Sequence, residues 1–292
     1  MSTGSAVNRD GLPGWDAWGA PQRGSRVVDV PTGVMPALHA APEVGAAGRT
    51  RTATVVAGVS TRAGQGLSTF LLNAAWDLAA DRDVLLVDLD ESGGTVAESL
   101  HLSRAVVAAH SVEALYTGEV VTADRLAANS VGVRGRPRLR VVPGRAATSC
   151  GPGLDAILPR LTTALRTADA DVVLLDLGPC LAYPGLVNPD AVVSAIRRVA
   201  GRVVCVLAAD PLPFQHAMQV MRRLGDRLLP DVVVWRWERR WSEELVASWQ
   251  GTLPGIPIRS VVDWDGRAYA ASLLSGRPVA DVGRTVRRDL RL

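Results

Sequence analysis

Short apolar runs rich in Val and Leu recur along the chain, and most lead into longer stretches whose apolar positions return every three or four residues. The runs at 53–59, 84–88, 139–143, 171–177, 202–208, 231–235 and 258–262 read as strands, bounded by Gly, Pro, Asp or Asn. Helical spacing follows at 68–80, through much of 95–129, and at 154–168; near the C-terminus Val279, Val282, Val286 and Leu290 recur at near-helical intervals. Short strands alternating with helices predict an α/β fold: a doubly wound, mostly parallel sheet flanked by helices. Residues 1–50 show no such period and are rich in Gly, Pro, Ala and Ser, so they read as a disordered tail before one domain spanning 51–292. Within that tail, Trp15 and Trp18 form a candidate docking motif.

Composition narrows this picture. The chain is 48% hydrophobic but only 4% aromatic, so its core must be mainly aliphatic, as in a sheet covered on both faces. A net charge of +3 is small for 292 residues and gives little reason to expect nucleic acid or anionic lipid as a partner. All 32 basic residues are arginine; the chain has no lysine. Cys150, Cys180 and Cys205 are too widely spaced for a zinc site and are expected to be thiols of a cytoplasmic protein. No apolar run approaches the roughly 20 residues that span a bilayer. The four histidines lack ligand spacing, and no Ser-His-Asp or Cys-His arrangement emerges.

The strongest chemical signal lies between the first strand and the first helix, where Arg62-Ala63-Gly64-Gln65-Gly66-Leu67-Ser68-Thr69 has the outline of a phosphate-binding loop. Such a loop holds a polyphosphate through backbone N–H groups and a helix N-terminus, a lysine on the β- and γ-phosphates, and a Ser or Thr on Mg²⁺. Gly64, Gly66, Ser68 and Thr69 supply every part except the lysine, whose place is taken by Leu67. Two further segments carry carboxylates at predicted strand ends: Asp88 and Asp90 after the second strand, and Asp176 in Asp171-Val-Val-Leu-Leu-Asp-Leu-Gly-Pro179.

Taken in order with Gly255-Ile-Pro-Ile258, these segments resemble the ParA/MinD family of deviant P-loop ATPases over about residues 52–290. The resemblance implies a P-loop fold in which Ser68, Asp88 and Asp176 would serve Mg²⁺ if a nucleotide binds, and Asp90 would orient the attacking water. It further implies that Gly64, Gln65, Gly66, Leu67, Ser68 and Thr69 would line the phosphates, with Trp235 and Arg236 beside the base. The family's loop carries two lysines; here they are Arg62 and Leu67. Arg62 keeps the charge of the family's signature lysine but adds a planar fork. Leu67 can offer phosphate only its backbone N–H. The pattern is most similar to the CpaE/TadZ-like subset of pilus and secretion loci, and to septum-site-determining relatives with degenerate loops.

The expected function is therefore a pseudo-ATPase that positions or assembles a division, pilus or secretion machine through protein partners, with ATP and Mg²⁺ bound weakly or not at all. The resemblance also implies a homodimer, a cytoplasmic location that includes the pole, septum or inner-membrane surface, and membrane contact that is peripheral at most. One alternative is a working ATPase switch in which Arg62 replaces lysine; another is a non-specific DNA binder of the partition type. Trp235 to Trp249, with its interleaved arginines, is a candidate partner surface. Arg134, Arg136, Arg138 and Arg140 alternate as if to place four charges on one strand face. The C-terminal stretch reads either as an amphipathic membrane helix or as a helix closing the sheet.

Overall fold

Val55, Val56, Ala57 and Val59 give β1 (Thr54–Ser60) an apolar side chain on both faces, which suits only the middle of a covered sheet. In the computed structural model of the chain, the structure describes residues 52–92, 95–116, 120–145, 152–182, 187–209, 211–225, 228, 230–236, 244, 247–249, 258–263 and 265–290, with the backbone alone at 211–214, 235–236, 280–281, 286 and 289–290. The tail at 1–50 with Trp15 and Trp18, together with Cys150, Trp237, Trp241 and Trp264, lies outside the described residues.

β1 leads into α1 (Leu67–Leu78) and β2 (Val84–Asp88). The chain then passes through α2 (Val96–Ser99), α3 (Arg104–His110), a 3-10 turn at Val112–Leu115 and α4 (Ala123–Ala128). A hairpin of β3 (Val131–Val133) and β4 (Arg136–Val142) precedes α5 (Leu154–Arg166) and β5 (Val172–Asp176). Next come α6 (Pro189–Val199), β6 (Arg202–Ala208), α7 (Pro211–Leu224) and β7 (Asp231–Arg236). The described chain closes with β8 (Ile258–Asp263), α8 (Gly266–Ser275) and α9 (Ala280–Leu290).

The eight strands form one sheet in the order β3-β4-β2-β5-β1-β6-β7-β8, parallel throughout except for the β3–β4 pair. The loops after β1, β2, β5 and β6 therefore open at one end of the sheet around its centre. Ligands bind in this position in open α/β sheets. One face of the sheet is covered by α1 together with Val282 of α9 and Tyr269 of α8; the other is covered by α5, α6 and α7.

Sequence explains most of these elements directly. In α1, Leu67, Phe70, Leu71, Ala74, Ala75 and Leu78 recur at helical spacing and are all buried. In α6, Asn188 caps the N-terminus, Pro189 opens the first turn, Asp190 follows it, and Arg197 and Arg198 lie in the last turn, which suits the helix dipole at both ends.

Two expectations change. The third predicted strand starts at Arg136 rather than Leu139, and the short strand β3 precedes it in an antiparallel hairpin that turns at Gly135 with φ 80°. This turn takes Arg134 out of the strand, and the three arginines left in β4 are engaged within the fold. Arg136 stacks 5.0 Å over Trp76, Arg138 donates to the Asp81 carbonyl at 2.6 Å, and Arg140 donates to the Ala127 carbonyl. These forks tie loops together and do not form a phosphate-reading surface.

At the opposite end of the sheet from the loops, Asp231 is only 13% exposed and accepts from Arg202 of β6 at 2.5 Å and from Arg259 of β8 at 2.9 Å. One carboxylate thus clasps three adjacent strands. Asp231→Ala is expected to destabilise the fold by about 1–3 kcal/mol, read as a lower urea midpoint with an unchanged slope.

Candidate functional site

The loop between β1 and α1 keeps the backbone of a phosphate cradle. Gly64 and Gly66 sit in the left-handed region at φ 76° and 81°, which glycine adopts without strain. Gly66 caps α1 with no side-chain hydrogen bond, so the first-turn N–H groups of α1 are left to an outside acceptor.

The side chains tell a different story. Leu67 is buried in the apolar cluster under α1 with Val56, Phe70 and Leu71. Its Cδ1 lies 2.9 Å from where a Cβ on Gly58 of β1 would stand, so Gly58 is the floor that lets it in. Leu67 therefore packs into the core at the position where the resemblance calls for a cation. Gln65 is also buried, and its Oε1 accepts from the Ala208 N–H at the end of β6 at 2.5 Å. The loop is pinned to β6 by its own side chain. Arg62 is half-buried, and its carbonyl accepts from Ser60 Oγ at 3.2 Å.

Asp88 and Asp176 end β2 and β5 and are register partners, side by side and both fully buried. Asp88 Oδ1 accepts from the Asp90 N–H at 3.2 Å, and Asp176 Oδ1 from the Gly178 N–H at 3.1 Å. The Oδ2 atom of each carboxylate makes no hydrogen bond among the described residues. Burial pushes Asp176 up to about 7; the nearby Asp90 charge adds to this, while Ser68 and the Gly178 N–H act in the opposite direction. Burial, then the charge of Asp176, raises Asp88 well above the ordinary carboxylate range.

Asp90 is half-buried, and its Oδ1 accepts from the Ser92 N–H at 2.9 Å and Ser92 Oγ at 2.6 Å. Its carboxylate lies directly over Gly178, where an added Cβ would stand 2.3 Å from Oδ1. The loops after β2 and β5 therefore interlock, and φ 58° at Gly178 makes that approach available. Gly144 likewise faces the Asp88 carboxylate, with an added Cβ 2.8 Å from its Cγ.

The unpartnered Oδ2 atoms of Asp88 and Asp176, together with Ser68, fit the oxygen chemistry of Mg²⁺. Among the described residues no group of three or more His, Cys, Asp or Glu could hold a metal ion, so such an ion would depend on the oxygens of a bound nucleotide. The phosphate side fits less well, because the cation expected at residue 67 is absent and its space belongs to the core. Trp235 and Arg236 lie at the end of β7, with Trp235 paired to Ala208 and Val262 in the sheet, but their side chains fall outside the described residues.

Next to this group is a cleft that the sequence did not announce, lined by Asp88, Asp90, Glu91, Tyr116, Arg145 and Leu154, among others. Glu91 accepts from the Leu154 N–H at the start of α5, and burial raises its carboxyl. Arg145 lies 5.6 Å over the Tyr116 ring and 3.9 Å from Glu113. Nothing in residue spacing marks these side chains as neighbours.

The structure places one residue of the candidate partner surface and the C-terminal stretch. Trp249 is buried in the core on the α5–α7 face, so it is not part of a partner surface. The C-terminal stretch forms α9 along α1: Val282 is buried, Gly283 meets the α1 backbone at Asn73, and Arg287 pairs with Asp81 at 2.6 Å. That packing is a helix closing the sheet. No described helix is long and apolar enough to cross a membrane.

No protein-family profile matches the chain, and no curated protein matches it in sequence. Solved structures match over most of its length. A plasmid partition protein of Borrelia burgdorferi B31, bound to AMPPNP, is 13% identical with a TM-score of 0.62, covering 82% of this chain and 98% of its own. A ParA family ATPase of Chlorobium tepidum is 18% identical with a TM-score of 0.60, over 82% and 99%. The MinC:MinD cell division complex of Aquifex aeolicus matches at 16% identity and a TM-score of 0.62, over 82% and 96%. From β1 to α9, the chain has the fold of the ParA/MinD P-loop ATPases.

Proposed function

We propose that this protein is a ParA/MinD-like pseudo-ATPase that positions or assembles a septal, polar, pilus or secretion apparatus through protein partners. The observation that carries the reading is Leu67, packed into the core over Gly58 where a phosphate-binding lysine would stand. With no lysine anywhere in the chain, none is available from a neighbouring segment. Gln65 supports the same reading, since it fixes the loop to β6 without a phosphate.

A nucleotide switch is the second reading, supported by the left-handed Gly64 and Gly66 and by the uncapped start of α1. In that reading Arg62 carries phosphate charge, Ser68, Asp88 and Asp176 serve Mg²⁺, and Asp90 orients water. A DNA-binding role draws no comparable support, because Arg136, Arg138 and Arg140 are engaged within the fold.

Asp176 separates the readings. Its folded pKa of about 7 lies above the unfolded value near 4, so the folded state holds a proton that the unfolded state has lost between those pH values. Stability contributed by this group is fully present below about pH 4 and is lost as pH rises to about 7. Asp176→Asn is expected to remove that part of the pH dependence and to raise the melting temperature at pH 7. In the pseudo-ATPase reading Mg-ATP stabilises neither protein. A Mg-ATP stabilisation of the native chain that Asp176→Asn abolishes would favour the switch.

A further inference from the structure

α8 is unlike the other long helices of the domain, because among its residues only Tyr269 is buried. Arg267, Ala270, Ala271 and Leu274 recur at i, i+3, i+4 and i+7 and are all exposed, with Leu273 beside them. Leu274 is 84% exposed and Leu273 58%, the two most prominent large apolar groups on this helix. Arg277, also exposed, follows the helix end, and residues 266–280 contain no acid. The stripe is apolar in the middle and carries an arginine at each end, with the capping Asp265 the nearest acid to Arg267.

The helix is held firmly from behind. Asp265 caps its start by accepting from the Arg267 and Ala268 N–H groups, and Gly276 ends it in the left-handed region at φ 64°. His101, itself at φ 55°, reaches across from the segment after α2 and bonds through Nε2 to the Leu273 carbonyl at 2.5 Å. Its Nδ1 lies 3.3 Å from where a Cβ on Gly276 would stand. Two terminal caps, a buried tyrosine and a clamping histidine thus present a stripe that none of the described residues covers.

We propose that α8 is a docking surface for an amphipathic helix of a partner protein, with acidic residues at both ends of its apolar stripe. Ala270 and Ala271 let another helix approach closely, and Leu273 and Leu274 project as knobs between its side chains. Arg267 lies in the first turn, where the helix dipole disfavours a cation, so helix stability does not account for it. Acidic groups on a partner would pair with Arg267 and Arg277 and fix the register. A second copy of this chain is disfavoured, since α8 laid on α8 across a two-fold axis brings arginine to arginine. A lipid surface is disfavoured too, because the apolar face is two leucines and two alanines with no aromatic. This inference rests on the reading that the chain acts through protein partners; nucleotide binding is tested separately, so failure of one leaves the other intact.

The test uses the full chain and two fluorescent helical peptides of about 14 residues, four turns. Both carry the same Leu/Ala stripe; one ends in glutamates and the other in lysines. Anisotropy is expected to show binding of the glutamate peptide, weakened at least about tenfold by Leu274→Asp, while the melting temperature stays unchanged because the site is exposed. Arg267→Glu with Arg277→Glu is expected to transfer the preference to the lysine peptide. Equal binding of both peptides, no binding, or binding indifferent to Leu274→Asp would overturn the proposal. So would either of two replacements for it: sedimentation onto phosphatidylglycerol vesicles, or concentration-dependent dimerisation, lost with Leu274→Asp.

Discussion

Gly283→Leu is expected to lift α9 from α1 and destabilise the domain by about 2–4 kcal/mol. A Cβ at this position would stand 2.6 Å from the Asn73 carbonyl oxygen and 2.8 Å from Asp77 Cβ. The first of these is backbone in the middle of a buried helix and cannot step aside. Displacing α9 also exposes Val282 and breaks the Arg287 pairs with Asp77 and Asp81. Arg287→Ala is the control: it removes only partly exposed ion pairs, which solvent screens in part, and should shift the urea midpoint less. Equal midpoints for the two variants would show that the close α1–α9 seam is not what holds the helix.

Leu67→Lys is expected to have two opposed effects of comparable size. Without ligand, the variant gives up a leucine buried in one cluster with Leu71, over the space a side chain at Gly58 would fill, or must bury an ammonium in its place, at a cost of about 2–4 kcal/mol. With Mg-ATP, a lysine that swings out of the core meets the phosphates, and binding linkage returns part of that loss: saturation at a hundred times Kd restores about 2.7 kcal/mol. Thermal melts of native and variant protein, each with and without Mg-ATP, read both. The native chain is expected to melt higher and to ignore the nucleotide.

The chain displays its strands and its main helices openly, because a buried parallel strand must be apolar on both faces and α1 must repeat its apolar positions at helical spacing. Val55 to Val59, Val84 to Val87 and Val172 to Leu175 are therefore legible as strands from the order of their residues alone. The short β3 is not, since three residues beginning Val131-Gly132 give no period to detect. The same gap misplaces Arg134, which the unanticipated turn at Gly135 takes out of the strand.

The candidate site is legible in part for a related reason. Gly64, Gly66, Ser68, Asp88, Asp90 and Asp176 lie at strand ends and in one loop, where spacing alone brings them to the same edge of the sheet. The direction of a side chain is not encoded in that spacing. That Leu67 turns inward depends on the absence of a Cβ at Gly58, one strand residue away in space and nine in sequence. Gln65 bonding to Ala208 and Asp90 resting on Gly178 are likewise contacts between loops that only the folded sheet brings together.

Calorimetric titration of the purified full chain with Mg-ATP and Mg-ADP, run beside Leu67→Lys, bears most directly on whether the loop still serves a nucleotide. A pseudo-ATPase gives no binding heat as the native protein and measurable affinity as the lysine variant, since the glycine turns and the open helix start of the cradle are in place. Micromolar binding of Mg-ATP by the native chain, changed little by Leu67→Lys, would refute that reading and place the protein among the working nucleotide switches.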